Sequence, residues 1–210
     1  MKNKKVVAFA SVGVIALFAL FGGLAANKVF AAEERISITD AESDTSIQAF
    51  CETEVLSVYK ERVFYDTGCT VILPAGYKAS DSNKGMYVSE RQPLDSSNVY
   101  YTISDHIDGK VLGNMIMSDD NKHRMETKFK EAYGAEAVIS SYKYEKTQID
   151  GCPAYKIELS CNWQDMQMDQ LIYIIAADKT YTITYSQASD DDRMQDFIES
   201  AKTIQVVFEK

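Results

Sequence analysis

The most regular pattern in the chain is a strict alternation of apolar and polar residues, the period of a β-strand with one buried face. It is clearest at Ala154–Cys161 and Thr180–Gln187. The same period, or a short apolar run between turn residues, predicts further strands at Val55–Tyr65, Cys69–Leu73, Met86–Gln92, Val99–Ile107, Ala137–Thr147, Leu171–Ala176 and Gln205–Phe208. Turns are predicted at Asp150–Gly151 and Asp178–Lys179, and a polar loop at Lys78–Gly85. The pattern indicates an antiparallel meander covered on one face.

Two segments instead have the helical period. The first follows Ser118, carries Asp119 and Asp120 in its first turn, and ends before Gly134; its apolar face is Met125, Phe129, Ala132 and Tyr133. The second is predicted to begin at Ser189 as N-cap, followed by three aspartates, with Met194, Phe197, Ile198 and Ala201 as its apolar face. The predicted fold class is α+β, an antiparallel sheet of about six to eight strands with two main helices packed on it.

The N-terminus departs from both patterns. Lys2, Lys4 and Lys5 precede an uncharged stretch, Val6–Ala26, and Val29–Ala31 then resembles a small-residue cleavage site. Residues 1–31 are therefore predicted to be a signal peptide, which the pattern favours, or an uncleaved membrane anchor with its lysines inside. Residues 32–50 are a polar linker and residues 51–210 one exported domain, secreted or held at the outer face of the cytoplasmic membrane.

Charge excludes one class of partner. The whole chain has a net charge of −9. Residues 1–31 hold four lysines and no acid, so without them 18 basic residues face 31 acidic ones, a net charge of −13. A domain with this net negative charge is repelled by a phosphate backbone and gains no binding free energy from counterion release. No nucleic acid is therefore expected as a partner.

Four cysteines, Cys51, Cys69, Cys152 and Cys161, follow the N-terminal segment. An even number outside the cytoplasm predicts two disulfides, and the close pairs of a metal site are absent from the sequence. A straight strand between Cys152 and Cys161 would hold them roughly 30 Å apart, and Val55–Tyr65 separates Cys51 from Cys69 in the same way. Each early cysteine is therefore expected to pair with a late one, with the choice of partner open.

The chain resembles the PsbP-like fold family, named for a photosystem II extrinsic subunit. The resemblance spans about residues 55–208 and rests on Gly68–Tyr77, Ile149–Tyr155, Lys179–Ser186 and Phe197–Ile204. It implies an α/β/α sandwich and a binding or accessory role, and it supplies no catalytic residue and no cofactor. The family also includes a Ran-binding transport factor and exported bacterial proteins of unknown role.

Catalytic chemistry finds little support in the sequence. His106 and His123 are the only histidines, and neither stands in a hydrolase, metalloprotease or phosphate-binding motif. His106 is predicted to be an exposed strand-end residue and His123 a solvated residue opposite the apolar helix face. The acidic runs at Asp81 and Asp190–Asp192 lack the spacing of a calcium loop. No catalytic residue, metal or cofactor is predicted.

Aromatic residues are the best candidates for a binding surface. Trp163, in a predicted hairpin loop beside Cys161, is expected either to contact a partner or to pack on a disulfide. Tyr100, Tyr142 and Tyr144 are weaker candidates, the last two on one strand face. The predicted function is a non-enzymatic accessory module that binds another envelope or extracellular protein, with a small-ligand or divalent-cation binding domain as the alternative.

Overall fold

Seven strands form one antiparallel sheet, and three short strands form a second. The structure, a computed structural model, describes residues 62–64, 68–92, 94–163, 166–188 and 191–207. The segments predicted as signal, anchor and linker lie outside these residues, as do Cys51, Ser189, Asp190 and the start of the first predicted strand.

The small sheet has the order β1-β2-β10, and the large sheet has the order β3-β4-β5-β9-β8-β7-β6, with antiparallel pairing throughout. The strands are β1 Arg62–Val63, β2 Cys69–Ile72, β3 Tyr77–Ala79, β4 Met86–Ser89, β5 Asn98–Ser104, β6 Val138–Ile149, β7 Cys152–Trp163, β8 Met166–Ala176, β9 Thr180–Ala188 and β10 Gln205–Val206. The helices are α1 Gly109–Met117, α2 Asp119–Tyr133 and α3 Met194–Ala201. None of these helices is long and apolar enough to span a bilayer.

Local chemistry explains the tightest turn of the meander. Ile149 pairs with Cys152, so only Asp150 and Gly151 connect β6 to β7. Both have positive φ, 48° and 80°. A two-residue hairpin with this backbone twists with its strands, and Asp-Gly is among the pairs that adopt it most readily. The predicted turn is confirmed.

Helices cover one face of the large sheet, called here the helix face. Leu112 and Ile116 of α1 and Met125 and Phe129 of α2 are buried in one cluster with apolar residues of β6, β7 and β8. The Ser118 hydroxyl caps α2 by accepting from the backbone N–H of Asn121, 3.2 Å away, as its position predicted.

The opposite face is covered by the small sheet and α3. Val71, Phe197 and Val206 share a buried cluster with Tyr101 and Tyr185 of the large sheet. The prediction that only one face of the meander is covered is therefore wrong at its centre, where every residue of β9 from Thr180 to Gln187 is buried. The threonines and Ser186 at alternate positions of β9 give the sequence pattern of a strand with one face in solvent. In the structure these residues are buried.

Three elements differ from the sequence prediction. Helix α1 was not predicted because its nine residues include Gly109 and Gly113, which lower helix propensity; Asp108 nevertheless caps it by accepting from the N–H groups of Lys110 and Val111. Strand β3 begins at Tyr77, overlaps the start of the segment predicted as a loop, Lys78–Gly85, and pairs with β4. Helix α3 begins at Met194, later than predicted, and has no side-chain cap.

Candidate interaction surface

Trp163 ends β7 and lies in the core, with 6% of its surface exposed. Its ring meets Phe129 edge-on at 5.7 Å between centroids and lies 4.9 Å from the ring of Tyr133. Both partners belong to α2, so this aromatic cluster fixes α2 to the sheet. Of the two roles expected for Trp163, the structure supports packing, against aromatic rings instead of a disulfide, and the residue drops out of the candidate surface.

Tyr100 is also buried, with 5% of its surface exposed, in a small cluster with Met86 and Val88. Burial raises the pKa of its hydroxyl. It shares the helix face with Tyr142 and Tyr144, but β9, β8 and β7 separate β5 from β6. The structure does not bring Tyr100 together with the other two tyrosines.

Tyr142 and Tyr144 lie side by side on β6, with ring centroids 6.0 Å apart. The Tyr142 hydroxyl donates to the carbonyl oxygen of Ile116 at 3.1 Å and accepts from the side-chain amide of Asn121 at 3.3 Å, so it joins β6 to α1 and α2. Burial raises the pKa of this hydroxyl. Tyr144, in contrast, is 46% exposed.

Two further apolar side chains are exposed on α1. Val111 and Met117 expose 52% and 47% of their surface. A cleft of about 490 Å³ lies between α1 and the start of α2; its lining is Val111, Asn114, Met115, Ser118, Asp120, His123 and Arg124. Met117 directly follows Ile116, whose carbonyl binds Tyr142. We call Val111, Met117, Tyr142, Tyr144 and this cleft the helix–edge surface.

The two histidines lie in different parts of the fold. The exposed His106 has its Nδ1 at 2.5 Å from the carbonyl oxygen of Ala177, at the β8–β9 turn, and so donates a hydrogen bond that holds that turn. His123 is exposed on α2, as predicted, and borders the cleft. Within the described ranges, no cluster of three or more His, Cys, Asp or Glu side chains is placed to hold a metal ion.

Asp95, in the loop between β4 and β5, is a buried carboxylate. The sequence did not single it out. Asp95 is 3% exposed; it accepts from the Ser89 hydroxyl at 2.8 Å, from the N–H and hydroxyl of Ser97, and from Nε of Arg193 at 3.1 Å. Burial opposes ionisation, but these hydrogen bonds outweigh it and hold the pKa of Asp95 below its usual value. A carboxylate so fully bound is a weak base. Its position between β4, β5 and α3 indicates a structural role.

Three polar atoms on the helix face lack hydrogen-bond partners among the described residues: Asn98 Oδ1, Gln170 Oε1 and Thr184 Oγ1. Asn98, Ser186 and Gln170 are successive partners across β5, β9 and β8, and Thr184 is two residues from Ser186. The amide nitrogen of Gln170 donates to Ser186 at 2.8 Å, which leaves its oxygen as an acceptor. Gln170 and Thr184 are at most 1% exposed. Unpartnered buried acceptors of this kind are uncommon in folded proteins.

The three cysteines in the described part of the chain divide between the two faces. Cys69 and Cys152 belong to the cluster beneath the small sheet, and Cys161 belongs to the cluster beneath α1 and α2. Burial is the main cause that raises the pKa of each thiol, to about 12 for Cys69 and Cys161. These are protonated thiols, poor as nucleophiles and as metal ligands.

Similarity to known proteins is structural. The fold resembles cyanobacterial PsbP (CyanoP) from Synechocystis sp. PCC 6803, with a TM-score of 0.53 and 18% identity over 70% of this chain and 91% of that one. LpqN of Mycobacterium tuberculosis, involved in cell envelope biogenesis, matches with a TM-score of 0.41 and 10% identity over 70% and 90% of the two chains. A Bacteroides thetaiotaomicron protein matches at 0.39 and 9% over 68% and 46%. No family model and no curated protein sequence matches the chain. The chain has a PsbP-like fold, as the sequence resemblance predicted.

Proposed function

We propose that this chain is an exported, non-enzymatic accessory domain that binds another protein of the cell envelope or extracellular space through its helix–edge surface. The observation that carries the proposal is the exposure of Val111, Met117 and Tyr144. They are three of the six large apolar side chains that are exposed in the described part of the chain. Exposed apolar patches with a polar rim are typical of protein contact sites.

Tyr144 and Met117 suit an interface because of their chemistry. Tyrosine buries a large apolar ring at a small entropic cost and keeps a hydroxyl for hydrogen bonding, and methionine adapts its shape to a partner. Tyr142 holds β6 against α1 through Ile116, so the surface is preorganised. The cleft adds a concave feature, with Asp120, His123 and Arg124 on its polar side.

The exposed edge of β6 favours contact through side chains over strand addition. Lys143, Glu145 and Lys146 are exposed along it, and the pairing with β7 shifts between Ile139 and Ser141. Charges and bulges on an edge strand oppose pairing with a further strand. A partner is therefore expected to present an apolar knob or helix to Tyr144 and Met117.

Site-specific cross-linking in the producing cell tests the proposal. A photoreactive phenylalanine analogue replaces Tyr144, and, as a matched control, Val138, which lies on the same strand at 42% exposure. Val138 pairs with Asn162, whereas Tyr144 pairs with Ile157 on the helix face. We expect one discrete adduct from position 144 and none from position 138.

Binding with the purified partner then decides the proposal. We expect Met117→Ala combined with Tyr144→Ala to weaken the complex by at least tenfold, because hot-spot truncations cost 2 kcal/mol or more. Val138→Ala should leave the affinity unchanged. Equal affinities for the double variant and the native chain would overturn the assignment of this surface.

Small-ligand binding is the second candidate, favoured by the unpartnered oxygens of Asn98, Gln170 and Thr184. The two amide oxygens and the Thr184 hydroxyl oxygen accept hydrogen bonds, so a ligand with several hydroxyl or amine donors, such as a sugar, would suit them. Thermal unfolding with a panel of sugars and with Ca²⁺ tests it. A rise in Tm with one compound that disappears in Gln170→Leu would support this candidate, and no rise with any compound would remove it.

A further inference from the structure

Cys69 and Cys152 come from distant parts of the chain and meet in one buried cluster. Cys69 begins β2 and pairs with Val206 of β10. The N–H of Val206 donates to the Asp150 carboxylate at 2.7 Å, and Asp150 lies in the β6–β7 turn, two residues before Cys152. The small sheet thus contacts this turn. Cys69 on the small sheet and Cys152 on the large sheet both lie in the buried cluster between the two sheets.

Electrostatics agrees with this placement. Burial is the first cause that raises the pKa of Cys69, followed by the charges of Asp150 and then of Cys152. The negative charge of Asp178 also raises the pKa of both cysteines. The two thiols therefore share one environment at the end of the sheet.

Cys161 is excluded as a partner of either cysteine. It lies at the other end of β7 from Cys152, nine residues away on one continuous strand, which corresponds to roughly 30 Å. A disulfide needs Cα atoms within about 7 Å of one another. The large sheet separates Cys161 from Cys69, because their side chains belong to clusters on opposite faces.

We propose that Cys69 and Cys152 form a disulfide when the chain folds in an oxidising compartment. The biological part of the proposal rests on the export proposed above. The two thiols lose two protons and two electrons, one S–S bond forms, and an oxidant of the disulfide class is reduced to two thiols. Once formed, the bond closes a loop on the order of 80 residues and fastens the small sheet to the β6–β7 turn.

The raised thiol pKa values determine how fast the two cysteines are oxidised. Thiolate is the attacking species in thiol–disulfide exchange, and burial keeps both sulfurs protonated and shielded. Oxidation of the folded, reduced protein is therefore slow, and oxidation during folding is fast. The same burial protects the completed disulfide from reduction.

The experiment uses the full chain refolded with oxidised glutathione, digested without reduction and mapped by mass spectrometry. We expect a peptide linking Cys69 to Cys152. Reduction should lower Tm by roughly 10 °C, given the loop length. The double variant Cys69→Ser with Cys152→Ser should show no such shift on reduction, whereas Cys161→Ser, the matched control, should keep it. A link from Cys69 to Cys51, a link from Cys152 to Cys161, or alkylation of both thiols after oxidation would overturn the proposal.

The same mapping on protein recovered from cells separates the two proposals. A Cys69–Cys152 link in refolded protein together with reduced thiols in cellular protein contradicts export while the pairing stands. Loss of the pairing with an intact partner complex contradicts only the disulfide.

Discussion

The guanidinium of Arg193 binds the buried carboxylate of Asp95, with 3.1 Å between Nε and Oδ2. The two residues are 98 positions apart in the sequence. Arg193 directly precedes α3, and Asp95 lies in the loop between β4 and β5. A second link, from the Ser96 hydroxyl to Asp191 at 2.9 Å, runs parallel to it. Together they fix the start of α3 to the large sheet. Because no side chain caps this helix, tertiary contacts hold its start in place.

Asp95→Asn is expected to destabilise the fold by roughly 1–3 kcal/mol at pH 7, because it removes charge-assisted hydrogen bonds and leaves Arg193 without its buried partner. Since folding lowers the pKa of Asp95, its contribution is present above the pKa of the unfolded chain and is lost as pH falls through the folded value. Urea unfolding at pH 7 and at pH 3 measures the free energy of unfolding of both proteins. The difference between the native chain and the variant should be smaller at pH 3. Asp192→Asn, an exposed carboxylate nearby, is the control and should change stability little at either pH.

Gly113→Ala is expected to destabilise the protein although alanine favours helix. A Cβ at Gly113 would lie 2.1 Å from the Tyr155 hydroxyl, which donates to the carbonyl oxygen of Gly109 at 2.8 Å. Relieving that overlap moves α1 away from β7, at a cost of about 1–3 kcal/mol. Asn114→Ala, exposed on the same helix, should instead be neutral or slightly stabilising. Thermal unfolding of both variants checks the sign; a more stable Gly113→Ala would contradict the close packing of α1 on β7.

Trp163→Ala is expected to cost about 3–5 kcal/mol of stability, the range for truncating a buried aromatic side chain. Its contacts with Phe129 and Tyr133 are lost, so near-ultraviolet circular dichroism should change and α2 should lose protection from hydrogen exchange. The more conservative Trp163→Phe should lose less. A Trp163→Ala protein with native stability would place the ring at the surface, against the structure.

Tyr142→Phe and Tyr144→Phe form a matched pair on one strand. The first removes the hydroxyl that binds Ile116 and Asn121, and because Asn121 is buried it should cost about 1–2 kcal/mol. The second removes a hydroxyl from a side chain that is 46% exposed and should be nearly neutral. Chemical denaturation measures both, and equal losses would contradict the tethering role of Tyr142.

Where one local rule sufficed, the sequence predicted the structure well. Period-2 alternation located most of the long strands, Asp150–Gly151 gave the hairpin, and Ser118 gave the start of α2. The prediction of α1 failed because its glycines are required by the approach of Tyr155 and Pro153, which are distant in sequence. Of the four aromatic candidates, only Tyr144 is exposed. Burial depends on what packs over a strand, whereas the alternation of apolar and polar residues shows only which side of the strand a residue faces.

By itself the sequence determined the fold class, the turns at Asp150–Gly151 and Asp178–Lys179, the buried faces of α2 and α3, and the separation of Cys152 from Cys161, because these follow from turn chemistry, backbone period and chain length. Only the tertiary structure decided that both faces of β9 are enclosed, that Trp163 packs into the core, that Asp95 meets Arg193, and that Cys69 lies with Cys152. Each of these depends on contacts between segments far apart in sequence, and such contacts are set by how the layers stack.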